Sequence, residues 1–112
     1  MSIGLHLLKS EFFRVMAHPT RIRILEQLVH GERTVQELQA VLALDQPVVS
    51  QHLAVLRGRS VVVARREGTQ AYYTLTSPLI ADVLRLSRAF PNRQLSESRS
   101  LLRELRREGR RA

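Results

Sequence analysis

Leu5, Leu8, Phe12 and Val15 recur every three or four residues, and the run stops at Ala17-His18-Pro19. That period predicts an amphipathic helix. A second helix opens at Pro19, where a missing N–H costs nothing, and buries Ile22, Leu25, Leu28 and Val29. Gly31 is placed to cap its C-terminus. Thr34 followed three residues later by Glu37 is a capping box, opening a short helix through Val35, Leu38, Val41 and Leu42. After the turn "LALDQP", Asp45 reads as the N-cap of a fourth helix, with Pro47 in its first turn. This helix, "QPVVSQHLAVLR", is anchored by Val49, Leu53 and Leu56. On its other face Gln46, Ser50, Gln51 and Arg57 can all hydrogen-bond, and none of them is an acid. Solvated helices usually mix both signs, so the face is unusual.

Beyond Arg57 the pattern changes to β-branched and aromatic residues around a Glu-Gly turn, "SVVVARREGTQAYYTL". It predicts a hairpin from Val61 to Arg66, a tip at Glu67–Thr69 and a return strand from Gln70 to Leu75. Pro78 to Phe90 is helical again through Leu79, Ile80, Val83, Leu84 and Leu86. Pro91 and Asn92 predict a break or kink, and a last helix carries Leu95, Leu102 and Leu105, with Leu101 beside them. A basic tail follows from Arg106. The fold class is mainly α with a small β-hairpin, in one domain spanning 1–112.

Composition narrows the partners. No apolar run is long enough to span a membrane. The N-terminus has Lys9 and Glu11 inside its apolar stretch and reads as a first helix rather than a signal peptide. There is no cysteine, which removes disulfides, thiolate metal sites and thiol redox sensing. Together these fit a cytoplasmic protein. The formal net charge of +8, seventeen of whose eighteen cations are Arg, draws polyanions, nucleic acid first and anionic membrane second.

Two short helices joined by a tight turn, over 34–57, with two helices before them, describe a helix-turn-helix. The hairpin over 61–75, with Arg65 and Arg66 beside its tip, adds a wing. In such a unit the second helix enters the major groove, where carboxylates would face phosphates and be repelled. An acid-free polar face suits that position.

"FFRVMAHPTRIRILEQL", "VSQHLAVLR" and "RREGTQAYYTL", in this order, resemble the ArsR/SmtB family of winged-helix transcriptional regulators. The resemblance covers roughly Glu11 to Leu84. It implies a winged helix-turn-helix homodimer of α-α-α-α-β-β-α subunits, here with an extra C-terminal helix. It also implies operator binding, repression by default, and an effector that is most often a metal ion. The dimer would be built by the first and last helices, here segments 1–17 and 77–108. Operator contacts would come from Gln46, Ser50, Gln51 and His52 on the recognition helix, and from Arg65, Arg66, Thr69 and Gln70 on the wing. Glutamine can pair bidentately with adenine, and wing arginines can enter the minor groove or hold phosphates. One departure concerns the turn after the recognition helix, where Arg59-Ser60 stands in place of the common Ala-Gly.

Two familiar sensing sites of the family are missing. Thr34-Val35-Gln36 stands where one known site has Cys-x-Cys. Aligned on "YTL", the four positions of a second site become Ser77, Leu79, Phe90 and Arg93, none of them a metal ligand. A metal effector would need nitrogen and oxygen donors, which favours nickel, zinc or cobalt. His6, with Glu97 or Glu104 from a second copy, is the candidate set; no organic cofactor is expected. His18 reads as structural, His30 near Glu26 as an exposed helix end, and His52 as either a DNA contact or a packing residue. A small organic effector and a protein-interaction module without operator reading are the alternatives. No paired carboxylates, phosphate loop or nucleophile beside a base suggests an enzyme.

Overall fold

The structure, a computed structural model, describes the backbone of residues 2–111 and the side chains of residues 4–89 and 97–109. Its elements are α1 (Ser2–Met16), α2 (Pro19–Leu28), α3 (Val35–Leu42), α4 (Gln46–Gly58), β1 (Val62–Glu67), β2 (Gln70–Leu75) and α5 (Pro78–Arg111). The chain is mainly helical with one antiparallel hairpin, as expected.

Most boundaries have local causes. His18 is extended and caps α2, its Nδ1 accepting the Thr20 N–H at 3.1 Å, while Pro19 occupies the first turn. The turn after α2 passes through Gly31 at φ +131°. Both halves of the capping box form: Glu37 N–H donates to Thr34 Oγ1 at 3.2 Å, and Thr34 N–H donates to Glu37 Oε1 at 3.0 Å. These bonds, that from the Thr34 backbone foremost, hold the Glu37 carboxyl below its ordinary range. Ala43 ends α3 in the left-handed region at φ +54°.

Asp45 departs from expectation. It precedes α4 in extended conformation, but its side chain makes no capping hydrogen bond. An N-cap side chain serves the second or third helical amide. Here the second is Pro47, which has no N–H, and Val48 N–H already donates to the Asp45 backbone carbonyl at 3.1 Å.

The core is drawn from several elements. Ile24, Leu25 and Leu28 of α2, Leu38 and Leu42 of α3, and Val49, Leu53 and Leu56 of α4 are buried, with Val61 and Val62 entering β1. Val15, Met16, Ile80 and Ala81 add to it from α1 and the start of α5. Each fully buried side chain of this size contributes about 1.5–3 kcal/mol. Val49, Leu53 and Leu56 are each 0 % exposed, so they fix which face of α4 looks outward.

The strands pair from Val62 with Leu75 to Glu67 with Gln70. The tip is therefore Gly68-Thr69, one residue shorter than predicted, because Glu67 still pairs. Gly68 takes φ +62° at the first turn position, which a glycine adopts without strain. A further bridge fastens the hairpin: Arg33 N–H donates to Tyr73 O at 3.1 Å, and Tyr73 N–H donates to Arg33 O at 2.9 Å.

Residue contacts divide the chain into two compact units, Met1–Ala81 and Asp82–Ala112. α5 begins in the first and continues as the second. It runs through Pro91 and Asn92 as one helix, which corrects the predicted break and separate last helix. An interior proline costs roughly 3 kcal/mol. The flanks, rich in Leu, Arg and Glu, are strong helix formers over the 34 residues of the element and carry the helix past it. The expected seam residue Leu95 lies outside the described side chains, as do Phe90 and Arg93; Leu101, Leu102 and Leu105 are exposed. Among the described residues, no helix is long and apolar enough to cross a membrane.

Candidate nucleic-acid interface

The stripe that anchors α4 determines what the helix presents. Gln46 and Gln51 are exposed and Ser50 is half-buried, so the structure places these three away from the core. The outward face is less polar than the sequence reading suggests. Pro47, Val48, Ala54 and Val55 are exposed on it as well. Arg57 and Arg59 are exposed at its C-terminal end.

His52 is not brought together with the others. Its ring lies against His18, with centroids 4.6 Å apart and planes tilted by 53°. Its Nδ1 is buried without a hydrogen-bond partner among the described residues. Burial, then the nearby charges of His18 and Arg21, pushes the His52 imidazole toward its neutral form. Arg21 itself is held in place, its Nε donating to Val15 O at 2.6 Å. His52 thus packs α4 against the cap of α2.

The turn from α4 into β1 is made by Ser60 at φ +59°, in the left-handed region that favours glycine. Its carbonyl accepts the Thr76 hydroxyl at 2.7 Å, and Val61 N–H donates back to Leu56 O at 3.0 Å. Three residues, Arg59, Ser60 and Val61, join α4 to the hairpin.

Alternation in the paired strands separates the two wing arginines. Arg65 shares a face with Glu67, Gln70 and Tyr72; Arg66 shares the other with Ala71. Arg65 is already engaged. It donates to Glu67 Oε2 at 2.6 Å, to the two carboxylate oxygens of Glu32 at 3.0 and 3.1 Å, and lies 4.8 Å over the Tyr72 ring. The Glu67 bond first, then Glu32, raises its pKa further above the ordinary arginine range. Arg66, Thr69 and Gln70 are exposed, and no ion pair of Arg66 occurs among the described residues. Sequence reasoning missed Glu32, Arg33 and Tyr72, which hold the wing. Only the turn position of Glu32 and Arg33, next to the capping box, hinted at them.

The metal candidates do not assemble within one chain. His6 is exposed on α1, and Glu97 and Glu104 are exposed on α5. Among the described residues, no three His, Cys, Asp or Glu side chains are grouped to hold a metal ion.

A helix-turn-helix of α3 and α4 with a pinned hairpin behind it defines a class, the winged helix-turn-helix DNA-binding proteins. Residues 18–62 match the family model described as bacterial regulatory protein, arsR family. The chain is 45% identical to the uncharacterized HTH-type transcriptional regulator Rv0081 of Mycobacterium tuberculosis H37Rv, over 91% of this chain and 90% of that protein. The crystal structure of Rv0081 superposes with a TM-score of 0.74 at 46% identity, covering 83% of this chain and 94% of that one. The homodimeric winged helix-turn-helix domain Mb0332 of Mycobacterium bovis, solved by NMR, gives a TM-score of 0.77 at 26% identity, over 86% and 89% of the two chains. A probable mercury resistance operon repressor of Streptomyces lividans is 39% identical over 70% of this chain and 63% of its own length. The chain belongs to the arsR family of bacterial regulators and is a DNA-binding transcriptional regulator, not an enzyme.

Proposed function

We propose that this regulator is a cytoplasmic homodimeric repressor that reads a pseudo-palindromic operator through α4 and releases it in response to an effector. The observation carrying this reading is the exposure of Gln46 and Gln51 on α4 opposite three fully buried anchors, on a chain of net charge +8. Gln46, Ser50 and Gln51 would address base edges, and Arg66, Thr69 and Gln70 the flanking backbone. His52 and Arg65 would act through position, His52 by seating α4 and Arg65 by holding the wing.

Dimerisation is supported by the exposed apolar residues Leu5, Leu7, Leu8 and Phe13 of α1 and Leu86, Leu101, Leu102 and Leu105 of α5. These fall in segments 1–17 and 77–108. Selection from genomic fragments should recover an inverted repeat with half-sites about 34–36 Å apart, or a multiple of that spacing. Recovery of no enriched sequence overturns the reading and favours an interaction module.

The effector class supported first is a divalent metal ion, because a relative is named for mercury resistance. With no cysteine, this chain offers no thiolate for a soft ion, which directs attention to nickel, zinc or cobalt. His6 with Glu97 or Glu104 of a second copy is the donor set to test. Unchanged metal affinity in His6→Ala removes that set.

A further inference from the structure

We infer that α4 reads a pyrimidine 5-methyl group beside the base that Gln51 addresses. The inference rests on the operator reading above and specifies what that operator must contain.

On a helix surface the neighbours of a residue lie three and four positions away. For Gln51 these are Pro47 and Val48 on one side and Ala54 and Val55 on the other. All four are aliphatic, and all four are exposed, Val48 by 37% and Val55 by 39%. The core does not need them, since Val49, Leu53 and Leu56 already anchor the helix at 0 % exposure. A helix serving only phosphates would carry cations at these positions. Here they carry hydrocarbon, and it frames the Gln51 amide.

The major-groove edge of DNA matches that frame. Its apolar feature is the methyl group on C5 of thymine, which 5-methylcytosine also bears, while adenine offers N6 and N7 to a glutamine amide. An A·T pair presents both on one edge, so an amide on adenine brings its aliphatic neighbours over the methyl of the same or an adjacent pair. An apolar protein partner fits less well, because the centre of the patch is an amide and the chain carries a charge of +8.

The test measures binding to the selected operator by fluorescence anisotropy, replacing thymine by uracil one position at a time and, separately, cytosine by 5-methylcytosine. At one or two positions per half-site, uracil should weaken wild-type binding about fourfold, the worth of one buried methyl. Val48→Ala or Val55→Ala, shown by thermal melting to remain folded, should shrink that penalty. A gain with 5-methylcytosine without a loss with uracil assigns the methyl to modified cytosine. Indifference to both on a specifically bound operator, or a full uracil penalty retained in both variants, overturns the inference and leaves the operator reading standing. Failure to recover any operator overturns the operator reading itself.

Discussion

The recognition helix and the wing present their polar groups in opposite ways. On α4, Gln46 and Gln51 face outward from a buried stripe. On the hairpin, Arg65 is held by two carboxylates and an aromatic ring before any partner arrives. One region leaves its amides exposed; the other uses its first arginine to hold its own shape. A cation paired in this way must break existing bonds before it can neutralise a phosphate, whereas an exposed amide exchanges only water.

The largest effect expected from this contrast is at Gln51. Gln51→Ala should cost about 1–3 kcal/mol of discrimination at one base pair, seen as relaxed preference there in competition binding. Loss spread evenly over all sequences would instead make Gln51 a backbone contact. The two wing arginines sharpen the comparison next. Arg66→Ala should reduce the slope of log affinity against log salt by about one, while Arg65→Ala should leave the slope nearly unchanged. Equal changes in slope would show that Arg65 abandons its carboxylates for DNA.

Smaller effects come from the contacts that seat α4. Ser60→Gly should stabilise the protein by about 0.5–1 kcal/mol in urea denaturation, because glycine adopts the left-handed turn without steric cost. At the other contact, the sign of the pH effect follows from His52. Its folded pKa lies below the ordinary 6.5, so the unfolded chain binds the proton more readily. The stability held by neutral His52 is complete above about pH 6.5 and is lost as pH falls through its folded pKa. A melting temperature that drops below pH 6.5 in wild type, and drops less in His52→Gln, is the expected result.

What the sequence revealed was local. The capping box of Thr34 and Glu37, the Pro19 helix start and the α4 anchor stripe all form within a few residues of chain, so spacing alone identified them. Asp45 had the residue type of a cap but not its partner, because Pro47 removed one amide and the backbone took another. Pro91 had the type of a break, but the surrounding helix formers outweighed it. The partners that distinguish Arg65 from Arg66, and His52 from Gln51, were hidden for another reason. Glu32 meets Arg65 across 33 residues of chain, and His18 meets His52 from the cap of α2. No periodicity reports such meetings; they exist only once the core has formed.

The single bridge between Arg33 and Tyr73 makes the wing answerable to a stretch of chain that never enters it. A free two-stranded ribbon is marginal in water, and here one residue from the α2–α3 connection serves as its third rung. Lengthening that connection by one residue would leave every wing side chain intact and yet re-aim the tip. The aim of the hairpin thus depends on a loop outside it, whose length can change without altering a single wing residue.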